Sequence, residues 1–491
     1  MCIDGSVLEP HTCDQSLAVK RGYWQFTTEA FSYSQPNKLR WTELGAIQSV
    51  IKSLAILCLP LLAAAQNQTT VAIRNAKIVT ISGPVLNKGT VILKDGLIEA
   101  VGENVSIPAG AWIIEGDGLT VYPGLIDGLS TVGLIPPPVT IPTTTAPTTP
   151  PARGPEDRPR TTSWERAADK VRANDPRIDS ARNAGFTSVV TFPTTGIFAG
   201  QGAVVNMAGD NPSKMIVESP AGQYMTLAGA GGQGAARGFP SSGMGVYAYV
   251  RQIFIDLDYY EKTKAAYQAS PAGKQRPAYD RALEGIKESG RLLLPAGSKV
   301  EMERVMRLAS ELNMPFVLYG AQEGYRTSEQ LKQGKVSVLV SAKWPAKIPN
   351  GDPDAEESLR TLEVRENAPG TPAALAKDGV KFAFYSDGQT PAEFIKGVRL
   401  AVERGLSHDD AVKALSLSTA EIFGIANRLG SVEKGKIANL VISKGDLLAE
   451  KSAIQFVFVD GIHFVPSPDA APATVVPPGA TGRRPRTGDE K

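Results

Sequence analysis

Histidine and cysteine are the scarce residues of this 491-residue chain, three of each. The cysteines are Cys2, Cys13 and Cys58, all upstream of residue 66, so whatever lies beyond can form no disulfide and offers no thiolate. His11 falls in the leading segment, while His408 and His463 are far apart in sequence and each reads as a solvated or satisfied side chain. A transition-metal site needs three or four nitrogen or sulfur ligands gathered in one place, and these residues cannot supply them. Charge of one sign is also missing: 52 basic residues face 50 acidic ones, which gives no argument for nucleic acid or an anionic membrane surface. No apolar run is long enough to span a bilayer. The longest, Leu54–Ala65, has about twelve residues against the roughly twenty required.

That run is informative in another way. Lys52 precedes it, Ala63, Ala64 and Ala65 close it, and Pro60 would break a core helix, so it reads as a secretory signal ending near Gln66. Export to a periplasmic or extracellular space is therefore expected, with no transmembrane segment once the signal is removed. The unpatterned residues 1–50 suggest initiation nearer Leu44 or Val50. A mature N-terminus well before Gln66, read by Edman sequencing, would refute this.

From residue 67 to 122 the pattern is short β runs, with Asp95-Gly96 as a two-residue hairpin signal between alternating flanks. Residues 430–466 mirror it, with Asp460-Gly461 as the second such turn. Segments from opposite ends of a chain are best joined in one small β domain that a larger domain, residues 123–429, interrupts. In that larger domain strands alternate with helices, the rhythm of parallel βα units. A Pro/Thr-rich insertion at 136–162 cannot bury enough apolar surface to order itself, and residues 467–491 have the composition of a disordered tail. Thr390-Pro391 with Glu393 marks a capped helix start directly after the apolar strand Lys381–Asp387.

The stretch Tyr122-Pro-Gly-Leu-Ile-Asp127-Gly-Leu-Ser-Thr131 resembles the first barrel strand of the amidohydrolase superfamily, P-G-[LF]-[IV]-D-x-H-x-H. Gly430–Val441 is similar to the family's G-s-i-x-x-G-k-x-A-D-L-v segment, with Asn439 where Asp is usual, and Ser416–Gly424 to its late helix. The resemblance implies an α/β fold: a (β/α)8 barrel with a small β-sandwich domain formed from the N- and C-terminal segments. It also implies a zinc or related divalent ion at the strand ends, hydrolysing C–N bonds of amides and cyclic amides. The positions where the family places its metal-binding histidines are Leu129, Thr131, Pro295 and Gly320 in this chain, and only the strand-eight aspartate, Asp387, is retained.

Three functions follow from that disagreement. The first is an exported amidohydrolase-like protein that has lost metal-dependent catalysis, binds no metal cofactor, and acts as a small-molecule binder or as a homo- or hetero-oligomeric partner of a catalytic relative. The second is a hydrolase of different apparatus, with Asp387 and a carboxylate such as Glu323 as an acid–base pair. The third is a secreted scaffold. Asp127 reads as structural, accepting backbone N–H groups at its strand end.

Overall fold

The computed structural model describes residues 70–134, 158–209, 211–229, 239–347, 356–450 and 452–466. The expected leader and signal, most of the Pro/Thr insertion and the tail after residue 466 lie outside the described residues. Three hydrogen-bonded sheets carry the fold.

The first sheet takes its strands from both ends of the chain. β1 (Val71–Ile78), β2 (Leu86–Lys94), β3 (Leu97–Gly102), β4 (Trp112–Glu115) and β5 (Leu119–Pro123) come before the central domain, and β16 (Leu440–Lys444), β17 (Ala453–Val459) and β18 (Ile462–Phe464) come after it. They pair in the order β18-β17-β16-β5-β1-β2-β3, with β4 parallel to β1. Both expected hairpins form, and Asp95, Gly96, Asp460 and Gly461 all have positive φ, as a type I′ turn requires. The two turns meet: a Cβ on Gly461 would lie 3.0 Å from the Gly96 Cα, so neither position has room for a larger residue. The pairings form one eight-stranded sheet that branches at β1, and its buried faces gather in one core around Ile73, Ile78, Leu93, Leu440 and Phe458.

The stretch expected as one strand from Tyr122 to Thr131 is two, broken at Gly124. β5 belongs to the composite sheet, while β6 (Leu125–Ser130) enters the central domain. A Cβ at Gly124 would stand 2.1 Å from the Thr187 Oγ1, so only glycine lets the chain cross between the two sheets here.

In the central domain β6 pairs parallel to β7 (Phe186–Thr191), which continues through β9 (Ala203–Asn206) to β10 (Ile216–Glu218). The third sheet runs β15-β14-β13-β12-β11-β8, from β8 (Phe198–Gln201), β11 (Gln223–Met225), β12 (Leu292–Ala296), β13 (Phe316–Gly320) and β14 (Ser337–Ser341) to β15 (Phe382–Tyr385). From β11 to β15 every pairing is parallel. Helices Lys299–Leu312, Ser328–Gln333 and Thr371–Asp378 fall between those strands, giving the expected βα rhythm. The strands are apolar on both faces, as a sheet covered on both sides demands. The sheets are open. β6 and β15 share no ladder, although the Asp127 carboxylate at the end of β6 accepts hydrogen bonds from Ser386 just beyond β15.

Within the Gly-rich run Gly196–Gly202, Phe198–Gln201 forms the buried strand β8. The end of the Pro/Thr insertion is fastened, since Arg158 bonds Asp256 at 3.0 Å and Asp280 at 3.0 Å. No helix among the described residues is long and apolar enough to cross a membrane.

Candidate functional site

The C-terminal ends of β6, β7, β11, β13 and β15 converge on a cavity of about 240 Å³, lined by Asp127, Leu129, Thr131, Arg177, Tyr224, Tyr319, Tyr385, Asp387 and Gln389 among others. Its position follows from the sequence. Parallel strands bring their last residues to one end, and the Thr390–Glu393 capping box starts the next helix at once, so Ser386–Gln389 must turn over the strand ends.

Asp127 is buried at 5% exposure. It accepts Ser386 N–H at 3.0 Å, the Ser386 hydroxyl at 2.6 Å and Leu129 N–H at 3.4 Å. Burial opposes its charge more strongly than these donors favour it, so its pKa is pushed up to about 6. Asp387, by contrast, is exposed at the mouth, with φ of 51°, and accepts the Ser341 hydroxyl at 3.0 Å.

Three tyrosines form the wall between them. Tyr224 and Tyr319 stack with centroids 5.1 Å apart, and Tyr385 meets Tyr319 edge-on at 6.3 Å and 87°. Tyr319 donates its hydroxyl to the Met225 carbonyl at 2.8 Å. Burial raises the pKa of all three phenols, and the Asp387 charge adds to it, so they remain neutral.

Arg177 closes another side. Its guanidinium donates to Thr131 Oγ1 (3.0 Å), to the carbonyls of Thr131 (2.8 Å) and Leu134 (2.7 Å), and to the Asp175 carboxylate (2.7 Å). Asp175 also caps the helix Pro176–Asn183 that carries Arg177. The position where the family would have its second strand-one histidine is thus a threonine tied to an arginine.

Of the residues singled out from sequence, Leu129, Thr131 and Asp387 line the cavity together. Pro295 and Gly320 lie in β12 and β13 and are not among its lining residues. Tyr319, next to Gly320, projects there in its place. Glu323, offered as partner to Asp387, is buried elsewhere: it accepts Lys299 N–H at 2.9 Å and Arg360 at 3.2 Å, which ties it to the start of another helix. Tyr224, Arg177 and Gln389 were not anticipated. Aromatic residues at strand ends were the one signal that could have pointed to Tyr319 and Tyr385.

A transition-metal ion at this end fails on the donor set. The described lining holds two carboxylates and no histidine or cysteine, and no group of three His, Cys, Asp or Glu residues able to hold a metal ion occurs among the described residues. His408 pairs with Asp446 at 2.7 Å, and His463 packs against Trp112 at 5.1 Å in the composite sheet.

A model described as "Amidohydrolase family" matches residues 261–463. An amidohydrolase structure from Thermotoga maritima MSB8 superposes with a TM-score of 0.65 at 28% identity, covering 80% of this chain and all of that one. A Xaa-Pro dipeptidase structure with methionine in its active site reaches 0.50 at 17% identity, over 81% of this chain and all of that one, a likeness of fold alone. The adenine deaminase of Moorella thermoacetica (strain ATCC 39073 / JCM 9320) is 42% identical over 64 residues, which is 13% of this chain and about a tenth of the deaminase. The family match over residues 261–463 and the Thermotoga maritima structure are what liken this chain to the amidohydrolases.

Proposed function

We propose that this is an exported amidohydrolase-superfamily protein whose strand-end cavity binds a small molecule and does not carry metal-dependent hydrolysis. The reading treats the two central sheets as parts of one (β/α)8 barrel. The bonds from Ser386 to Asp127 across the β6–β15 seam support that, as does the placement of the cavity at the strand ends, where such barrels hold ligands.

The observation that carries the proposal is the chemistry of the lining. A catalytic zinc takes three protein ligands and leaves a fourth position to water. Here the equivalent surface offers only two carboxylates, Asp127, which accepts three hydrogen bonds, and Asp387 at the rim, with tyrosine rings between. Without an activated water, Asp387 has no proton-transfer task that the fold suggests. Pairing it with Glu323 loses support, since Glu323 is spent on Lys299 and Arg360.

The test is calorimetric titration of zinc sulfate into chelator-stripped protein. No saturable isotherm is expected; one-to-one binding below about a micromolar would overturn the proposal. Export is checked separately, by finding Gln66 at the mature N-terminus.

A further inference from the structure

We propose that this cavity selects a small organic cation, an amine or quaternary ammonium, held against Tyr319 and Tyr385 with Asp127 and Asp387 as its counter-charges. This rests on the ligand-binding reading above and specifies the ligand's chemistry.

The first support is the charge balance. The charged residues lining the cavity are Asp127, Asp387 and Arg177. Arg177 is consumed by Asp175 and by three oxygens of Thr131 and Leu134. Neither lining carboxylate has an ion-pair partner among the described residues, whereas Asp175, Glu284, Glu323 and Glu357 each have one. A negative, partly desolvated space attracts a cation more strongly than the same charges would in water.

The second is the direction of the hydrogen bonds. The Ser386 hydroxyl donates to Asp127, the Ser341 hydroxyl to Asp387, and the Tyr319 hydroxyl to the Met225 carbonyl. These three donors are turned into the wall, which leaves the ring faces and the two carboxylates to an incoming molecule. Gln389 also lines the cavity, and its Oε1 is buried and receives no hydrogen bond. A ligand rich in N–H groups or in polarised methyls fits that surface; a second anion does not.

The third is the aromatic geometry. Tyr319 and Tyr385 stand at 87° to one another and form a corner, with Tyr224 stacked behind Tyr319. Rings meeting at a corner beside carboxylates are how ammonium groups are recognised, through the negative ring faces. The volume, about 240 Å³, is below the range typical of drug-sized pockets and limits the ligand to a compact one.

The experiment uses the intact mature protein and two pairs of probes matched in shape: choline with 3,3-dimethyl-1-butanol, and benzylamine with benzyl alcohol. Titration calorimetry should show at least one cation binding tenfold or more tightly than its neutral partner. Asp387→Asn, which keeps size and tolerates the positive φ, should weaken that cation about tenfold, and Tyr319→Leu likewise, with thermal melts confirming that both variants fold. If each cation binds no better than its neutral partner while some probe still binds, the cation proposal is overturned and the ligand-binding reading survives. If none of the four, nor benzoate added as an anionic control, binds at millimolar concentration, both fall.

Discussion

Two buried polar clusters in this protein are built on opposite plans. In the first, where the composite sheet meets the central domain, Asn439 donates to Ser188 (3.0 Å) and Asn206 (2.9 Å) and accepts Asp460 N–H (2.8 Å). Ser188 in turn donates to Asn206 at 2.7 Å, and Asn206 to the Asp460 carboxylate at 2.6 Å. Every member is paired within the cluster. In the second, at the strand ends, the buried Gln389 Oε1 has no partner, while burial opposes the charge of Asp127 as it does that of Asp460, and Asp387 shares with Asp460 a φ of 51°. Groups that hold a fold together satisfy one another; groups left short of partners around an open volume are those with something to bind.

The contrast can be broken from either side. Asn439→Leu should be the most damaging change, because it strands Ser188, Asn206 and the Asp460 N–H in a buried setting. A loss of about 4 kcal/mol is expected by urea unfolding, from several unpaired groups at about 1–3 kcal/mol each. At the site, Asp127→Asn should have the reverse sign and depend on pH. The folded pKa of about 6 lies above the usual 3.8, so the native state binds the proton more tightly, and the stability this confers is lost as pH rises through 6. Relative to wild type, Asp127→Asn should therefore gain about 2 kcal/mol between pH 4 and pH 7, most of the effect of a shift of roughly two pKa units. Denaturant melts at the two pH values check this, and a constant difference would show that Asp127 is not desolvated. Asp387→Gly should stabilise by about 0.5–1 kcal/mol, since glycine accepts the φ of 51° without strain. The smallest effect is expected from Gln389→Leu, about 0.5 kcal/mol of stabilisation from removing an unsatisfied acceptor. The same change to Asn439, where every group is paired, should do the opposite.

Much of the scaffold was legible in the residues. Two Asp-Gly turns gave both hairpins, alternating strands from the chain ends gave the composite sheet, and Thr390-Pro391 with Glu393 gave the helix that shapes the cavity rim. The break at Gly124 was not, because the Thr187 side chain that forbids a Cβ there is sixty-odd residues away in sequence. The site was half legible. Leu129, Thr131 and Asp387 were placed because they share strand ends with a family pattern. Arg177, Tyr224 and Gln389 come from a helix, an irregular strand and a loop with no motif of their own, and only folding brings them together. Glu323 shows the converse error: a buried carboxylate near a strand end is as readily a helix anchor as a catalytic acid.

Metal content tests the central claim most directly. Protein purified from its native compartment without chelators should carry less than roughly a tenth of an equivalent of Zn, Mn, Fe or Ni by mass spectrometry, since the cavity lacks the nitrogen and sulfur donors such ions require. A full equivalent of any of them would contradict the metal-free cavity and put hydrolysis first.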